Sequence, residues 1–120
     1  MSITNYAENK LLDTLRNQSF AVAGTWVKLH LGDPGEDATS NAASNATRQS
    51  VSFSAASGGS MVSSGTVTWT NVSTTETYTH FSLWDASTAG NPLWKGALST
   101  SAAVTAGDTF QITSLTLSLD

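Results

Sequence analysis

The stretch that decides the fold is Thr77-Tyr78-Thr79-His80-Phe81-Ser82-Leu83-Trp84. Thr77, Thr79, Phe81 and Leu83 share one parity, and Tyr78, His80, Ser82 and Trp84 share the other. A period of two marks a strand, because successive side chains leave its opposite faces. The same period holds where Val27, Leu29 and Leu31 alternate with Trp26, Lys28 and His30, and again in Val51, Phe53 and Ala55. Val67 with Trp69, and the run Leu93 to Leu98, supply further short apolar segments. Turn-forming strings separate them: Gly32-Asp33-Pro34-Gly35, Gly58-Gly59, Asp85 to Pro92, and Ala106-Gly107-Asp108. The last reads as a hairpin leading into Phe110 and Ile112. Leu115, Leu117 and Leu119 then continue on the opposite parity. Thr113-Ser114 must therefore hold a bulge, or carry the strand from one sheet to another.

Seven or eight short strands punctuated in this way describe an antiparallel β-sandwich, jelly-roll or Ig-like, over residues 25–119. Helical periodicity occurs once. Ile3, Ala7, Leu11 and Leu15 recur every fourth residue and Leu12 widens the stripe, so residues 5–17 are expected to form an amphipathic helix. Asn5 is the expected N-cap, Glu8 completes a capping-box-like pair, and Asn17 suits a left-handed terminus. The stripe is expected to dock on the sandwich through Ala7, Leu11, Leu12 and Leu15. Residues 1–120 are read as a single domain, long enough to bury a core without staples.

Composition narrows the function. Ser and Thr number 18 each, while charged residues make up only 12% of the 120, against a usual share of about 25%. Five Lys and Arg against nine Asp and Glu give a net charge of −4 with no basic stripe, which disfavours nucleic acid as a partner. With no cysteine, disulfides, zinc-thiolate sites and thiol catalysis are excluded. No apolar run of roughly 18 residues occurs, and no signal peptide is read at the start, so a soluble protein made in the cytoplasm is expected.

Few residues suggest chemistry. Asp33, Glu36 and Asp37 could offer carboxylates to a cation, but their spacing is not that of a calcium loop, and a solvated turn is the expectation. His30 and His80 face away from their strands' aliphatic residues and are expected at a surface or interface. No Gly-x-Ser-x-Gly elbow supports a serine nucleophile, and no cofactor site is seen. Trp69 shares the parity of Val67 and belongs to the core. Trp26 and Trp84 lie opposite the aliphatic residues, and Trp94 is ambiguous beside Gly96. Such aromatics either stack on sugars, anchor a protein interface, or form a second packing layer under the N-terminal helix. Trp26, His30, His80, Trp84 and Trp94 are accordingly the interface candidates.

Longer strings carry a resemblance. Tyr6 to Asp13, Val27 to His30, Asp33 to Glu36, Arg48 to Phe53, Thr79 to Ala86, Leu93 to Leu98 and Ala106 to Phe110 resemble, in this order, a family of small tailed-phage and prophage virion proteins. Members are commonly labelled tail-fibre or minor structural proteins. The loop Ala38 to Thr47 departs from the family, which tends to carry more glycine there. The resemblance implies a non-enzymatic virion protein, assembled in the host cytoplasm. It would decorate the capsid, or form part of a fibre or tail attachment through symmetric subunit contacts. Low charge agrees with this, since unprotected strand edges call for cover by neighbours. The expected partners are copies of itself, a trimer first, and other virion proteins. Two other classes compete: a carbohydrate- or receptor-binding module using Trp26, Trp84 or Trp94 on a cell-surface glycan, and a small hydrolase built on the histidines.

Overall fold

A computed structural model describes residues 2–119. The chain runs β1 (Ser2–Ile3), α1 (Asn5–Thr14), β2 (Trp26–His30), β3 (Gln49–Ser50), β4 (Ser60–Val62), β5 (Val67–Trp69), β6 (Glu76–Trp84), β7 (Pro92–Val104), β8 (Phe110–Ile112) and β9 (Thr116–Ser118). One layer is a five-stranded antiparallel sheet in the order β1-β7-β6-β2-β3. Facing it are two ribbons, β4 with β9 and β5 with β8. The protein is thus β-rich and antiparallel, as the alternation requires, with one helix among the described residues.

Register explains the core. Val27 pairs with Leu83 and Leu29 with Phe81, while Leu83 also pairs with Trp94. These residues therefore point to one face of the sheet. There they meet Val67 and Trp69 of β5, Ile112 of β8 and Leu117 of β9 in one buried cluster. Phe110 stacks obliquely against both Trp69 and Tyr78, at 5.7 and 5.2 Å between ring centroids. The parity change near Thr113-Ser114 is a change of partner: β8 ends at Ile112 on β5, and β9 begins at Thr116 on β4. The turn at Ala106-Gly107-Asp108 differs from the expected hairpin. It joins β7 in the sheet to β8 in a ribbon, and so crosses between layers.

The helix departs from expectation at both ends. Its N-cap is Thr4, one residue before Asn5, with Thr4 Oγ1 accepting from the Ala7 amide at 3.3 Å. The reason is tertiary. Thr4 is fully buried, its hydroxyl donates to the Pro92 carbonyl at 2.6 Å, and its amide donates to the Leu93 carbonyl. These bonds leave Ile3 in β1, paired opposite Trp94. The helix stops at Thr14, and the chain turns through Asn17 at φ 64°. Docking through the whole stripe is not observed. Ala7 is buried and Leu11 half-buried, but Leu12 is 64% and Leu15 86% exposed. Among the described residues of the helix only Ala7 is fully buried, and Leu12 and Leu15 are left largely open.

Candidate functional site

The outer face of the five-stranded sheet collects four of the five interface candidates, Trp26, His30, His80 and Trp84. Trp26 pairs with Trp84, Lys28 with Ser82, and His30 with His80, all on neighbouring positions of β2 and β6. Over this face folds the loop from Gly32 to Ala42. Pro34 and Ala38 are buried within it. Ala7, Ala38, Trp84 and Leu93 are buried without belonging to the main cluster. The loop and the start of α1 are tied together by the Asn5 amide, which donates to the Glu36 carbonyl at 3.4 Å.

His30 sits under this loop, fully buried. Nδ1 lies 2.9 Å from the Ser40 carbonyl, which can only accept, so Nδ1 carries the proton. Nε2 is then the acceptor for the Ser82 hydroxyl at 2.7 Å. The same hydroxyl oxygen accepts the indole N–H of Trp84 at 2.8 Å. Burial pushes the His30 pKa down, the Ser40 carbonyl opposes this, and Lys28 lowers it further. A Ser–His pair is the first half of a hydrolytic triad, but here the third member is a backbone carbonyl. Ser82 is also fully buried, so in this conformation no substrate reaches its oxygen.

Trp84 is held from the other side by two cations. The Arg48 guanidinium lies 4.1 Å from a Trp84 ring centroid and the Lys28 ammonium 5.7 Å. Arg48 also donates to the carbonyls of Ala86 at 2.9 Å and Ala89 at 2.7 Å, tying the β6–β7 turn to the face. Burial and the neighbouring Arg48 both lower the pKa of Lys28. Trp26 remains half-buried, packed closely against Gly24, where a methyl group would stand 2.8 Å from the ring.

Two of the three acidic loop residues, Asp33 and Glu36, converge on Lys95. Asp33 accepts from Lys95 Nζ at 3.0 Å, and Glu36 lies 3.6 Å from it. The Gly35 amide, then Lys95, lowers the Asp33 pKa, while the Asp33 hydrogen bond raises that of Lys95. Asp37 closes a turn onto the Thr39 amide and hydroxyl. Among the described residues no group of three His, Asp or Glu side chains is placed to hold a metal ion.

Of the five interface candidates, His30 and Trp84 are therefore buried within the monomer on the outer face. Trp94 is buried on the core face opposite Leu83, and its indole N–H has no partner among the described residues. Trp26 and His80 are half-buried, and His80 Nδ1 meets the Thr79 hydroxyl at 2.8 Å. The histidines are cross-strand neighbours, but both ring nitrogens of His30 are occupied. Thr4, Ser82 and Arg48 were not singled out from the sequence. The pairing of Ser82 with a histidine two strand positions from its partner carries no local signal.

The polar aromatic face of this β-rich module is thus partly covered by the chain's own loop, and among the described residues no open constellation of catalytic groups is present. The family model described as "Podophage GP4 fiber I protein gp80" matches residues 2–120. The chain belongs to this family of phage fibre proteins. No curated protein matches it.

Proposed function

We propose that this protein is a non-enzymatic structural component of a phage virion, built into a fibre or tail attachment, or set on the capsid. In that role it assembles in the host cytoplasm by contact with its own copies and with other virion proteins. The observation that carries the reading is the fibre-family match over residues 2–120.

The surface supports it. β1 covers the outer edge of β7 only at Trp94 and Lys95, so from Gly96 to Val104 that edge has no strand neighbour among the described residues. No charged residue or proline occurs from Gly96 to Gly107. Natural monomers rarely leave an edge so undefended. Leu12, Leu15 and Val22 add exposed apolar surface. A symmetric oligomer, a trimer first, gives such surfaces partners, and Trp26 and His80 are the interface candidates still partly open. A glycan platform of Trp26, Trp84 and Trp94 gains no support, because two of the three rings are buried and Trp94 faces the other side of the sheet. Sedimentation of the purified chain and its localisation in imaged particles test the proposal. A monomer at high concentration, or a chain missing from purified virions, overturns it.

A further inference from the structure

The loop from Gly32 to Ala42 is held by few groups, and most of them are polar. The Leu31 amide donates to the Asn41 carbonyl at 2.8 Å and the Ala43 amide to the Leu29 carbonyl at 3.1 Å. The Asn41 side chain donates to the Asp33 carbonyl, and Lys95 holds Asp33 and Glu36 from outside. Among the described residues, the bond between the loop and a fully buried side chain is that of His30 to the Ser40 carbonyl.

We propose that His30 is a proton-operated latch: set between the Ser40 carbonyl and the Ser82 hydroxyl, its neutral ring holds the 32–42 loop closed, and a second proton releases that loop. The neutral ring has one donor and one acceptor, matching a carbonyl on one side and a hydroxyl on the other. Protonated, it has two donors. Ser82 Oγ, already taking the Trp84 N–H, would lose the acceptor for its own proton. The ring would also carry a buried charge with poor compensation. Lys28 on β2 and Lys95 on β7 are cationic, and the cross-strand partner of His30 is a second imidazole, His80 on β6. The carboxylates on the loop, Asp33 and Glu36, are engaged by Lys95, and Asp37 by Thr39. Once the loop lifts, the ring is hydrated and takes its proton near the ordinary value of about 6.5. Acid therefore favours the open state. The depressed pKa of the closed state has the matching sign: closure is favoured above the open-state pKa and weakens as pH falls below it. The loop moves before the sheet because Pro34 and Ala38 are its buried contacts, whereas the sheet is held by the main cluster.

The test is cleavage of the native full-length protein by a glutamate-specific protease, with rates normalised to an unstructured peptide at each pH. Glu36 lies in the loop and Glu76 at the start of β6, which makes Glu76 an internal control. Below about pH 6.5, cleavage after Glu36 should rise by up to about tenfold per pH unit, with cleavage after Glu76 unchanged. His30→Gln should remove the pH dependence, and His80→Gln should retain it. The second variant carries the test if the first fails to fold. A flat rate at Glu36, an equal rise at both sites, or loss of the response in His80→Gln overturns the latch.

Discussion

His30 Nε2 and Ser82 Oγ stand 2.7 Å apart, on neighbouring strands, with the Trp84 indole closing on the same oxygen. One hydroxyl thus satisfies two buried rings. Ser82→Ala leaves both the Trp84 N–H and His30 Nε2 without a partner, and is expected to cost about 2–4 kcal/mol. Urea unfolding followed by tryptophan fluorescence measures it. A loss under 1 kcal/mol would mean that water serves these groups equally well.

Arg48 gives a second test of the same face. It stacks on Trp84 and donates to two carbonyls of the β6–β7 turn. Arg48→Lys keeps the charge but not the planar fork, so it should recover little of the roughly 1–2 kcal/mol lost in Arg48→Ala. Thermal melting of the two variants side by side decides this. Near-complete rescue by lysine would show that charge alone matters.

Such features mark where the sequence stops being readable. Strand parity is local, so Val27, Leu29, Phe81 and Leu83 could be assigned to the core from alternation, and the switch near Thr113-Ser114 from its reversal. What covers the other face is not local. Trp84 lies opposite Leu83 as its parity requires, but the groups against it, Arg48 and Lys28 over the ring and Ser82 on the indole N–H, come together only in the fold. The N-cap shifted to Thr4 because β7 offers it the Pro92 carbonyl, and no helix propensity records that bond. The helical stripe misled for a similar reason. Its periodicity is real, but among the described residues of the helix only Ala7 is fully buried, and Leu12 and Leu15 are left largely open.

Backbone strain gives a prediction with the opposite sign. Ala89 is exposed in the β6–β7 turn at φ 55°, a conformation that costs an L-residue about 1 kcal/mol. Ala89→Gly removes that strain and gives back part of it through a more flexible unfolded chain. The net should be a gain of about 0.5 kcal/mol, seen as a small rise in Tm. A fall would show that the turn is relaxed with alanine in place.

The exposed leucines separate folding from assembly. Leu12→Glu with Leu15→Glu should leave the monomer's stability within about 0.5 kcal/mol, as surface changes do. Ala7→Asp places a carboxylate in a buried site and should destabilise by several kcal/mol. Denaturant midpoints of the two variants make the comparison. A large loss in the double leucine variant would mean that the helix packs on the chain along its length.

The bare edge of β7 yields the last prediction. Ser99 and Ser101 are exposed on this 13-residue strand, within the stretch that β1 leaves uncovered. Strand edges pair through backbone groups, and lysines on an edge oppose such pairing by carrying charge into the seam. Neither serine side chain has a hydrogen-bond partner among the described residues. Ser99→Lys with Ser101→Lys should therefore change monomer stability by no more than about 0.5 kcal/mol. If copies of the chain join along β7, the same pair of changes should shift the protein to monomer in sedimentation at concentrations where the wild type associates. The helix variant carrying Leu12→Glu and Leu15→Glu provides the contrast. Loss of association in that variant alone would assign the contact to α1, whereas loss in the lysine variant alone assigns it to the strand edge. Association unaltered in both would remove these two surfaces from the assembly and leave the half-open Trp26 and His80 to be tested next.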